Sequence, residues 1–376
     1  MPCEIRPVNT TRDWKIFLKF PWMIYKGNPA WVPPLLMDMK DKLDLKKNPF
    51  YQHAEREAFL AWDGEVPVGR VVALHDHRHN EVHRDTTGFF GFFECLNRQD
   101  VADALLGTAE DWCKSRGLTV LRGPVNPSMN DECGLLMDAY DKSPYFMMTY
   151  NPPYYRELLE GAGFHKAKDL LAYRLSYTDV PEIPERMRKI MDRLKRREGV
   201  VIRPLNMKRY KEELALFKDV YNHAWMDNWG FVPMTDAELD FMAAQLKPLV
   251  LSDIVLFAEV KGQVVGAAIA IPDYNQVVKG FNGRLFPFNI IKLLLSKKRL
   301  KAGRGLVAGV KKEYRKKGIE TLLIAEWFSA GKRLGYLEGE VSWMLEDNTA
   351  LLKEIEAMGG RRYKTYRMFD RALTAI

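Results

Sequence analysis

The pentapeptide Ile5-Arg6-Pro7-Val8-Asn9 recurs as Ile202-Arg203-Pro204-Leu205-Asn206, 197 residues further along the chain. More identities share this offset: Ala61, Val68, Gly69 and Ala73 correspond to Ala258, Val265, Gly266 and Ala270, and Asn151 corresponds to Asn348. Each match is short, but one offset shared by three separated regions indicates an internal duplication. The sequence therefore predicts two copies of one fold.

Both copies give the same order of predicted elements. A short strand precedes a helical region and a β-hairpin, which are followed by an apolar strand, a helix (100–116 and 318–334), another strand, a second helix and a final strand. The hairpin is antiparallel, whereas strand–helix–strand connections imply parallel pairing. We therefore predict an α/β protein with two tandem domains, each a mixed β-sheet flanked by helices.

The repeat also defines the predicted domain boundaries. We expect a first domain over 1–176, a basic helical linker over 177–199 and a second domain over 200–376. The register between the copies shifts twice, which indicates an insertion near 126–146 in the first copy and another near 274–304 in the second. These unshared segments are where we expect the copies to differ in function.

The composition is that of an ordinary globular protein. Of 376 residues, 47% are hydrophobic and 28% are charged, which argues against a disordered, collagen-like or coiled-coil chain. No apolar run reaches the ~18 residues needed to span a bilayer, and the N-terminus lacks the apolar stretch of a signal peptide. The four cysteines have neither zinc-site nor disulfide-framework spacing. We therefore predict a cytoplasmic protein with reduced thiols.

The net charge of +8 is concentrated in one segment. Residues 279–320 contain thirteen Lys or Arg and two acids. Such a patch would attract an anion such as phosphate, anionic lipid or nucleic acid. It lacks the interleaved aromatic residues of a single-strand binder, so we expect no nucleic-acid partner.

Within this segment an apolar strand passes into a helix at Val310–Leu323. A turn at such a junction exposes backbone N–H groups at the positive end of the helix dipole, which is a ready anion site. Five basic residues enhance it: Lys311, Lys312, Arg315, Lys316 and Lys317. The alternative is a solvated basic helix start.

The pattern Arg315-x-x-Gly318-x-Glu320, after a strand ending in Val310 and before Leu322-Leu323, resembles the pyrophosphate loop of the GNAT superfamily of acyl-CoA-dependent N-acyltransferases. This resemblance implies acetyl-CoA or a longer acyl-CoA as co-substrate, an amine acceptor and no metal. It implies cofactor contacts from Val310, Arg315, Lys316, Lys317, Gly318, Ile319, Glu320, Thr321 and Asn348. Glu320 replaces the family's small residue, where it would crowd or repel a pyrophosphate. The corresponding first-copy stretch, 94–100, has no glycine and two acids, so we expect that copy to have lost CoA binding.

Amine acylation needs a base, because an alkylammonium group with a pKa near ~10 is not nucleophilic. The family's usual tyrosine position is Ile355, so the acid's role is empty or moves to Tyr363 or Tyr366. For the base we consider three carboxylates around the next strand: Glu340, Glu346 and Asp347. We rank Glu346 and Asp347 first because they fall at the strand's C-terminal end. Alternatively, they are surface carboxylates that flank a helix N-cap.

The first-copy insertion is rich in polar side chains. Its Asn126, Asn130, Asp131 and Glu132 are candidate substrate contacts in a cleft between the copies, and the alternative is an Asn/Pro/Ser turn cluster. Three histidines in His75–His79 would share one face if their strand continued. No carboxylate or cysteine completes a metal set at suitable spacing, so we predict no metal and an exposed hairpin end.

The second-copy insertion, 283–304, combines apolar residues with a basic end. Three interpretations remain open: a helix buried against the other copy, the wall of an acyl tunnel, or a peripheral membrane contact at the inner membrane surface. The last favours a long acyl chain and a lipid amine such as a sphingoid base, whereas the first two also allow a small-molecule amine. Two other functions are considered: a Fem-type aminoacyl-tRNA-dependent transferase and a non-catalytic CoA-binding module.

Overall fold

The computed structural model describes residues 3–180 and 182–374, so Pro181 of the predicted linker lies outside the described residues. The chain forms two compact units. Unit 1 comprises residues 3–170, 278–286 and 364–374, and unit 2 comprises 171–277 and 287–363 among the described residues.

The helices and strands follow the predicted order. In the first half they are β1 (Glu4–Pro7), α1 (Thr11–Lys19), α2 (Pro21–Ile24), α3 (Leu36–Leu43), β2 (Ala54–Asp63), β3 (Val66–Asp76), α4 (His77–His83), β4 (Thr87–Cys95), α5 (Gln99–Lys114), β5 (Val120–Gly123), β6 (Val125–Asn126), β7 (Glu132–Cys133), β8 (Leu135–Leu136), α6 (Tyr155–Gly161) and β9 (His165–Ser176). In the second half they are α7 (Glu185–Glu198), β10 (Val200–Pro204), α8 (Tyr210–Ala224), α9 (Asp236–Leu246), β11 (Val255–Val260), β12 (Gln263–Pro272), α10 (Asn275–Val278), α11 (Asn289–Ser296), β13 (Ala302–Val310), α12 (Ile319–Arg333), β14 (Glu338–Leu345), α13 (Thr349–Ala357) and β15 (Arg361–Ala372).

Unit 1 is built on a mixed sheet in the order β1-β2-β3-β4-β5-β15, followed by residues 165–170 of β9. Strands β1 to β4 pair antiparallel, whereas β4 and β5 pair parallel. Helix α5 covers this sheet with a fully buried face that includes Val101, Leu105 and Leu106. Burying these side chains contributes roughly 1.5–3 kcal/mol each.

Unit 2 repeats this arrangement. Its sheet runs β14-β13-β12-β11-β10, with β13 and β14 parallel and the other pairs antiparallel, and residues 171–176 of β9 lie beside β14. Helix α12 packs its buried Ile319, Leu322 and Leu323 on the sheet. Both units are therefore mixed sheets with flanking helices, and the predicted fold class is confirmed.

The compact units differ from the predicted contiguous domains because the final strands are exchanged. Strand β15 comes from the second sequence copy, but it pairs with β5 of the first through Phe369–Ala372. Residues 171–176 come from the first copy and belong to unit 2. A repeat in the sequence identifies a strand but not the sheet that it joins.

One local feature also differs from the sequence expectations. The strand that holds His75 ends at Asp76, whose side chain caps α4 by accepting hydrogen bonds from the backbone N–H groups of Arg78 and His79. The histidines at 77, 79 and 83 therefore lie on a helix, so the expected strand face is wrong.

Within the described residues no helix has the length and apolar character that crossing a bilayer requires.

Candidate active site

The two central parallel strands of unit 2 separate partway along their length. β13 and β14 pair from Ala302–Glu338 to Gly305–Val341, yet both strands continue beyond that point. A β-bulge begins at the same place, because Ala270 lies opposite Gly305 and Ile269 lies opposite Val307. A bulge bends its strand and is common beside active sites. The result is a gap between adjacent strands, which is where an extended ligand can lie against backbone groups.

Glycines in β13 allow helices to approach this bent strand closely. A Cβ at Gly305 would lie 3.2 Å from the Trp327 ring, and one at Gly309 would lie 2.5 Å from the ring of Trp225. The first contact comes from α12 and the second from the end of α8. These glycines therefore fix how tightly the helices pack around the gap.

The loop from β13 to α12 has the backbone geometry of an anion site. Lys316 and Gly318 have φ values of 60° and 75°, and α12 begins at Ile319 without a side-chain cap. A turn with left-handed residues can direct backbone N–H groups toward one concavity that binds anions. The first turn of α12 adds its own N–H groups. The predicted loop residues 315–321 are therefore brought together at one helix N-terminus.

Acidic side chains neutralise part of the basic patch. Arg315 Nη1 lies 2.8 Å from Asp227 Oδ2, and Lys311 pairs with Asp219. The hydrogen bond from Arg315, together with Lys312, lowers the pKa of the Asp227 carboxyl. Lys316 and Lys317 are exposed and have no described carboxylate within ion-pair distance. They are the charges of this loop that remain for an anion.

Glu320 is half-buried beside a second carboxylate. Burial, with repulsion from Glu354, raises its pKa to about 7, and Arg315 opposes this shift. Thr321 Oγ1 donates to Glu354 Oε2 at 2.7 Å, which places the Glu354 carboxylate along α12. Near neutral pH a substantial fraction of Glu320 is therefore uncharged, which reduces the repulsion that the sequence predicts.

We expect Glu320→Gln to stabilise the protein at pH 8 by about 1–2 kcal/mol, raising the melting temperature by roughly 2–4 °C. The folded pKa exceeds the unfolded value, so the wild type loses stability as the pH rises from 4.5 to 7. The advantage of the variant should vanish below pH 4.5, where both side chains are neutral. Thermal unfolding at several pH values measures this, with exposed Glu313→Gln as control. A pH-independent difference would contradict the assignment.

The linker helix α7 contributes to the loop's surroundings. A Cβ at Gly318 would lie 2.5 Å from Leu194 Cδ1. Lys195, the next residue of α7, lies 2.6 Å from Glu326 of α12. The helix that the sequence treats as a connector therefore packs against the loop, and no local sequence signal indicates this.

A buried polar network lies where β13 and β14 separate. Glu340 is fully buried, and its carboxylate accepts hydrogen bonds from Tyr363 Oη and, at 2.8 Å, from Ser342 Oγ. Arg304 lies opposite Glu340 in the sheet and donates from Nε to Ser342 Oγ at 2.9 Å. Tyr363 is half-buried, so it links the enclosed carboxylate to a more accessible position.

As the candidate base, the sequence favours Glu346 and Asp347 over Glu340. These two carboxylates lie in the turn after β14. Glu346 is half-buried and Asp347 is exposed. Asn348 caps α13 by accepting from Leu351 N–H, so its amide has a structural role. Alternation along β14 places Glu340 on the buried face with Met344. This alternation is the sequence pattern from which the burial of Glu340 could have been predicted. Of the two tyrosines considered, Tyr366 is fully buried and belongs to unit 1.

In unit 1, β4 occupies the position that β13 has in unit 2. The space beside β4 is filled by Val125 and Asn126. β4 carries a register shift near Phe92, as β13 does near its bulge. A Cβ at Gly91 would lie 1.6 Å from Val125 O, and Phe92 N–H donates to Asn126 Oδ1 at 2.6 Å. Asn126, a predicted substrate contact, is thus hydrogen-bonded to β4.

The other candidate substrate contacts form a local polar cluster in unit 1. Ser128 Oγ donates to Asp131 at 2.7 Å and accepts from Asn130 N–H, as in the turn cluster considered above. Glu132 lies 2.8 Å from Lys42 Nζ. Burial would lower the pKa of Lys42, but Asp38, Glu132 and Asp131 raise it above its usual value. These four residues belong to unit 1, whereas the loop residues belong to unit 2.

No protein-family model matches the chain. The chain is 38% identical to the bacterial ceramide synthase of Caulobacter vibrioides (strain NA1000 / CB15N), over 98% of this chain and 97% of that protein. It is 34% identical to protein YghO of Escherichia coli (strain K12), over 98% and 95% of the two chains. A tandem GNAT protein from the clavulanic acid biosynthesis pathway superposes with a TM-score of 0.58 over 99% of both chains, at 12% identity.

The bulged, separating strands, the loop before α12 and this shared architecture define the class: the chain has the tandem GNAT fold. More particularly, it belongs to the family of the bacterial ceramide synthase, with which it aligns along nearly its whole length. The predicted resemblance to tandem GNAT proteins is confirmed at the level of the fold.

Proposed function

We propose that unit 2 transfers an acyl group from a long-chain acyl-CoA to the amine of a sphingoid-type lipid base. One observation carries the proposal: the gap between β13 and β14 opens beside a left-handed loop at an uncapped helix N-terminus. Extended pantetheine suits a gap between strands, and a pyrophosphate suits such a loop. The name of the 38% identical ceramide synthase supports the lipid acceptor.

We assign proton transfer to the pair of Tyr363 and Glu340. The amine nitrogen forms a bond to the thioester carbon and passes its proton to Tyr363 Oη, while the Tyr363 hydroxyl gives its own proton to Glu340. The carbon–sulfur bond breaks, and the proton returns by the same route to the leaving thiolate. The hydrogen bond between the two side chains supports this relay. Atoms and charge balance as amine plus thioester giving amide plus thiol.

Turnover of defined substrates tests the proposal. Purified protein should form amide from sphinganine and palmitoyl-CoA, and much more slowly from acetyl-CoA or from a soluble amine such as glucosamine. Thermal-shift measurements with CoA, the two acyl-CoAs and bulk tRNA test binding separately. If CoA binds but neither amine is converted to an amide, the proposed acyl transfer to these acceptors is contradicted. Stabilisation by tRNA alone would favour a tRNA-dependent transferase.

We further propose that α11 contacts an anionic membrane surface. Leu293 is buried, whereas Phe288, Ile291 and Leu295 are 75%, 56% and 69% exposed and recur at helical spacing. Much of the apolar face of α11 is therefore exposed, unlike that of a helix buried against the other copy with a solvated basic end. Exposed Lys and Arg residues lie within α11 and in the segment that follows it, namely Lys292, Lys298, Arg299 and Lys301. An exposed apolar face with basic neighbours is typical of interfacial helices, and each basic residue adds ~1 kcal/mol on anionic lipid.

We expect the wild-type protein to float with phosphatidylglycerol-containing liposomes at low salt. Flotation should fall at least roughly 10-fold in the triple variant Phe288→Ser, Ile291→Ser, Leu295→Ser, because insertion of three apolar side chains is lost. Leu45→Ser removes a similarly exposed leucine elsewhere and should float normally. A wild-type protein that stays in the soluble fraction at low salt would eliminate the membrane contact without affecting the proposed acyl transfer.

A further inference from the structure

Two histidines and a glutamate converge at the end of the first hairpin in unit 1. Glu55 of β2 lies directly opposite His75 of β3, and His77 begins α4. One possible ligand atom from each lies within 4.8 Å of the other two. The spacing along the sequence hid this set, because Glu55 reaches the histidines across the hairpin rather than along the chain.

The side chains are already held near one another. Glu55 Oε1 lies 2.9 Å from His77 Nε2, and the two imidazole rings have centroids 3.9 Å apart. Asn80 Nδ2 lies 3.1 Å from His75 Nε2, as expected when that nitrogen is an acceptor. The lone pair of that nitrogen can bind a metal ion once the ion replaces the Asn80 donor.

A basic neighbour competes for the same carboxylate. Arg116 Nε lies 3.3 Å from Glu55 Oε2. Arg116 also stacks on the Trp112 ring at 3.7 Å and donates to Trp112 O at 3.2 Å. The guanidinium can therefore release Glu55 and keep these contacts. Glu55 and His77 are both half exposed, so a metal ion has access and water can complete its coordination.

We propose that Glu55, His75 and His77 bind a divalent transition-metal ion of the zinc type. Two imidazoles and one carboxylate are a ligand set that Zn²⁺ accepts, with water at the fourth position. The same set would exclude Ca²⁺ and Mg²⁺, which require mainly oxygen ligands. The site ties the β2–β3 hairpin to the start of α4, so metal binding should stabilise the folded protein.

Metal titration of the full-length, chelator-treated protein without a polyhistidine tag tests this proposal. Co²⁺ should produce visible absorption that Zn²⁺ abolishes, and calorimetry should give one Zn²⁺ ion per chain. His75→Ala, His77→Ala and Glu55→Gln should each weaken Zn²⁺ binding at least 10-fold. His165→Ala, at an exposed histidine outside the set, is the matched control and should bind as the wild type does.

Arg116→Gln gives a prediction of opposite sign. Removing the competing cation should tighten Zn²⁺ binding by about 3- to 10-fold, an outcome that general surface chelation would not produce. The proposal is overturned if the wild type binds no Zn²⁺ at 100 µM, or if the three ligand variants bind as tightly as the His165→Ala control. Circular dichroism establishes that each variant is folded before titration.

Discussion

A Tyr363→Phe variant is expected to bind acyl-CoA normally but to form amide roughly 10²- to 10⁴-fold more slowly, the range for loss of a positioned proton-transfer group. The variant keeps the ring and removes only the hydroxyl that donates to Glu340. Glu340→Gln should lower kcat similarly. It should also cost stability, roughly 3 kcal/mol, because Arg304 is buried and loses its charged partner. Steady-state kinetics with calorimetry separates turnover from binding.

Controls in the same unit distinguish this role from a structural one. Tyr173 Oη donates to Glu356 at 2.8 Å, so Tyr173→Phe deletes an equivalent tyrosine–carboxylate bond and should leave kcat nearly unchanged. Glu346→Gln and Asp347→Asn should likewise keep most of the activity. If Tyr363→Phe keeps full turnover and either Glu346→Gln or Asp347→Asn loses it, the general base lies in the turn after β14 rather than at Tyr363 and Glu340.

Gly318→Asp should weaken CoA binding at least roughly 100-fold, which corresponds to about 2.7 kcal/mol. The substitution puts a negative charge into the loop that we assign to the pyrophosphate. It also forces a side chain into a left-handed conformation, which costs roughly 1–2 kcal/mol, and against Leu194. Calorimetry with CoA measures the affinity, and thermal unfolding measures the cost in stability.

Two further variants separate charge from strain. Gly318→Ala introduces the same Cβ without charge and should weaken CoA binding less than the aspartate does. Gly262 has a φ of 79° in the β11–β12 turn, and a Cβ added there would have no neighbouring atom within 4 Å. Gly262→Asp therefore introduces the same backbone strain and the same negative charge outside the loop before α12. It should bind CoA like the wild type. Undiminished affinity in Gly318→Asp would exclude this loop as the pyrophosphate site.

The sequence was sufficient for the order of the elements that the two copies share, although it missed α4. Apolar runs on either side of a glycine-containing turn indicated the hairpins, and the predicted helices 100–116 and 318–334 stop beside Gly117 and Gly335, which both have positive φ. These signals are local, since periodicity and terminating glycines act within a few residues. The loop before α12 was also visible because its basic residues and glycine are contiguous.

The remaining features depend on contacts between distant parts of the chain. Glu340 became the leading carboxylate only once its burial and its bond from Tyr363 were known. The Glu55–His75 pairing depends on hairpin register. The exposure of Phe288 and Leu295 could not be read from their hydrophobicity, which is equally consistent with a core helix. Such properties follow from tertiary packing rather than from local pattern.

The exchange of final strands has an evolutionary consequence. After a gene duplication, one copy can normally be lost. The first copy, which lacks the predicted pyrophosphate loop, would be the expected one to disappear. Here a gene truncated to the first copy would lack the strand that pairs with β5, and one reduced to the second would lack residues 171–176 beside β14. Each deletion exposes an unpaired sheet edge, a hazard for aggregation. We therefore expect selection to keep the two copies together, whichever of them retains the chemistry.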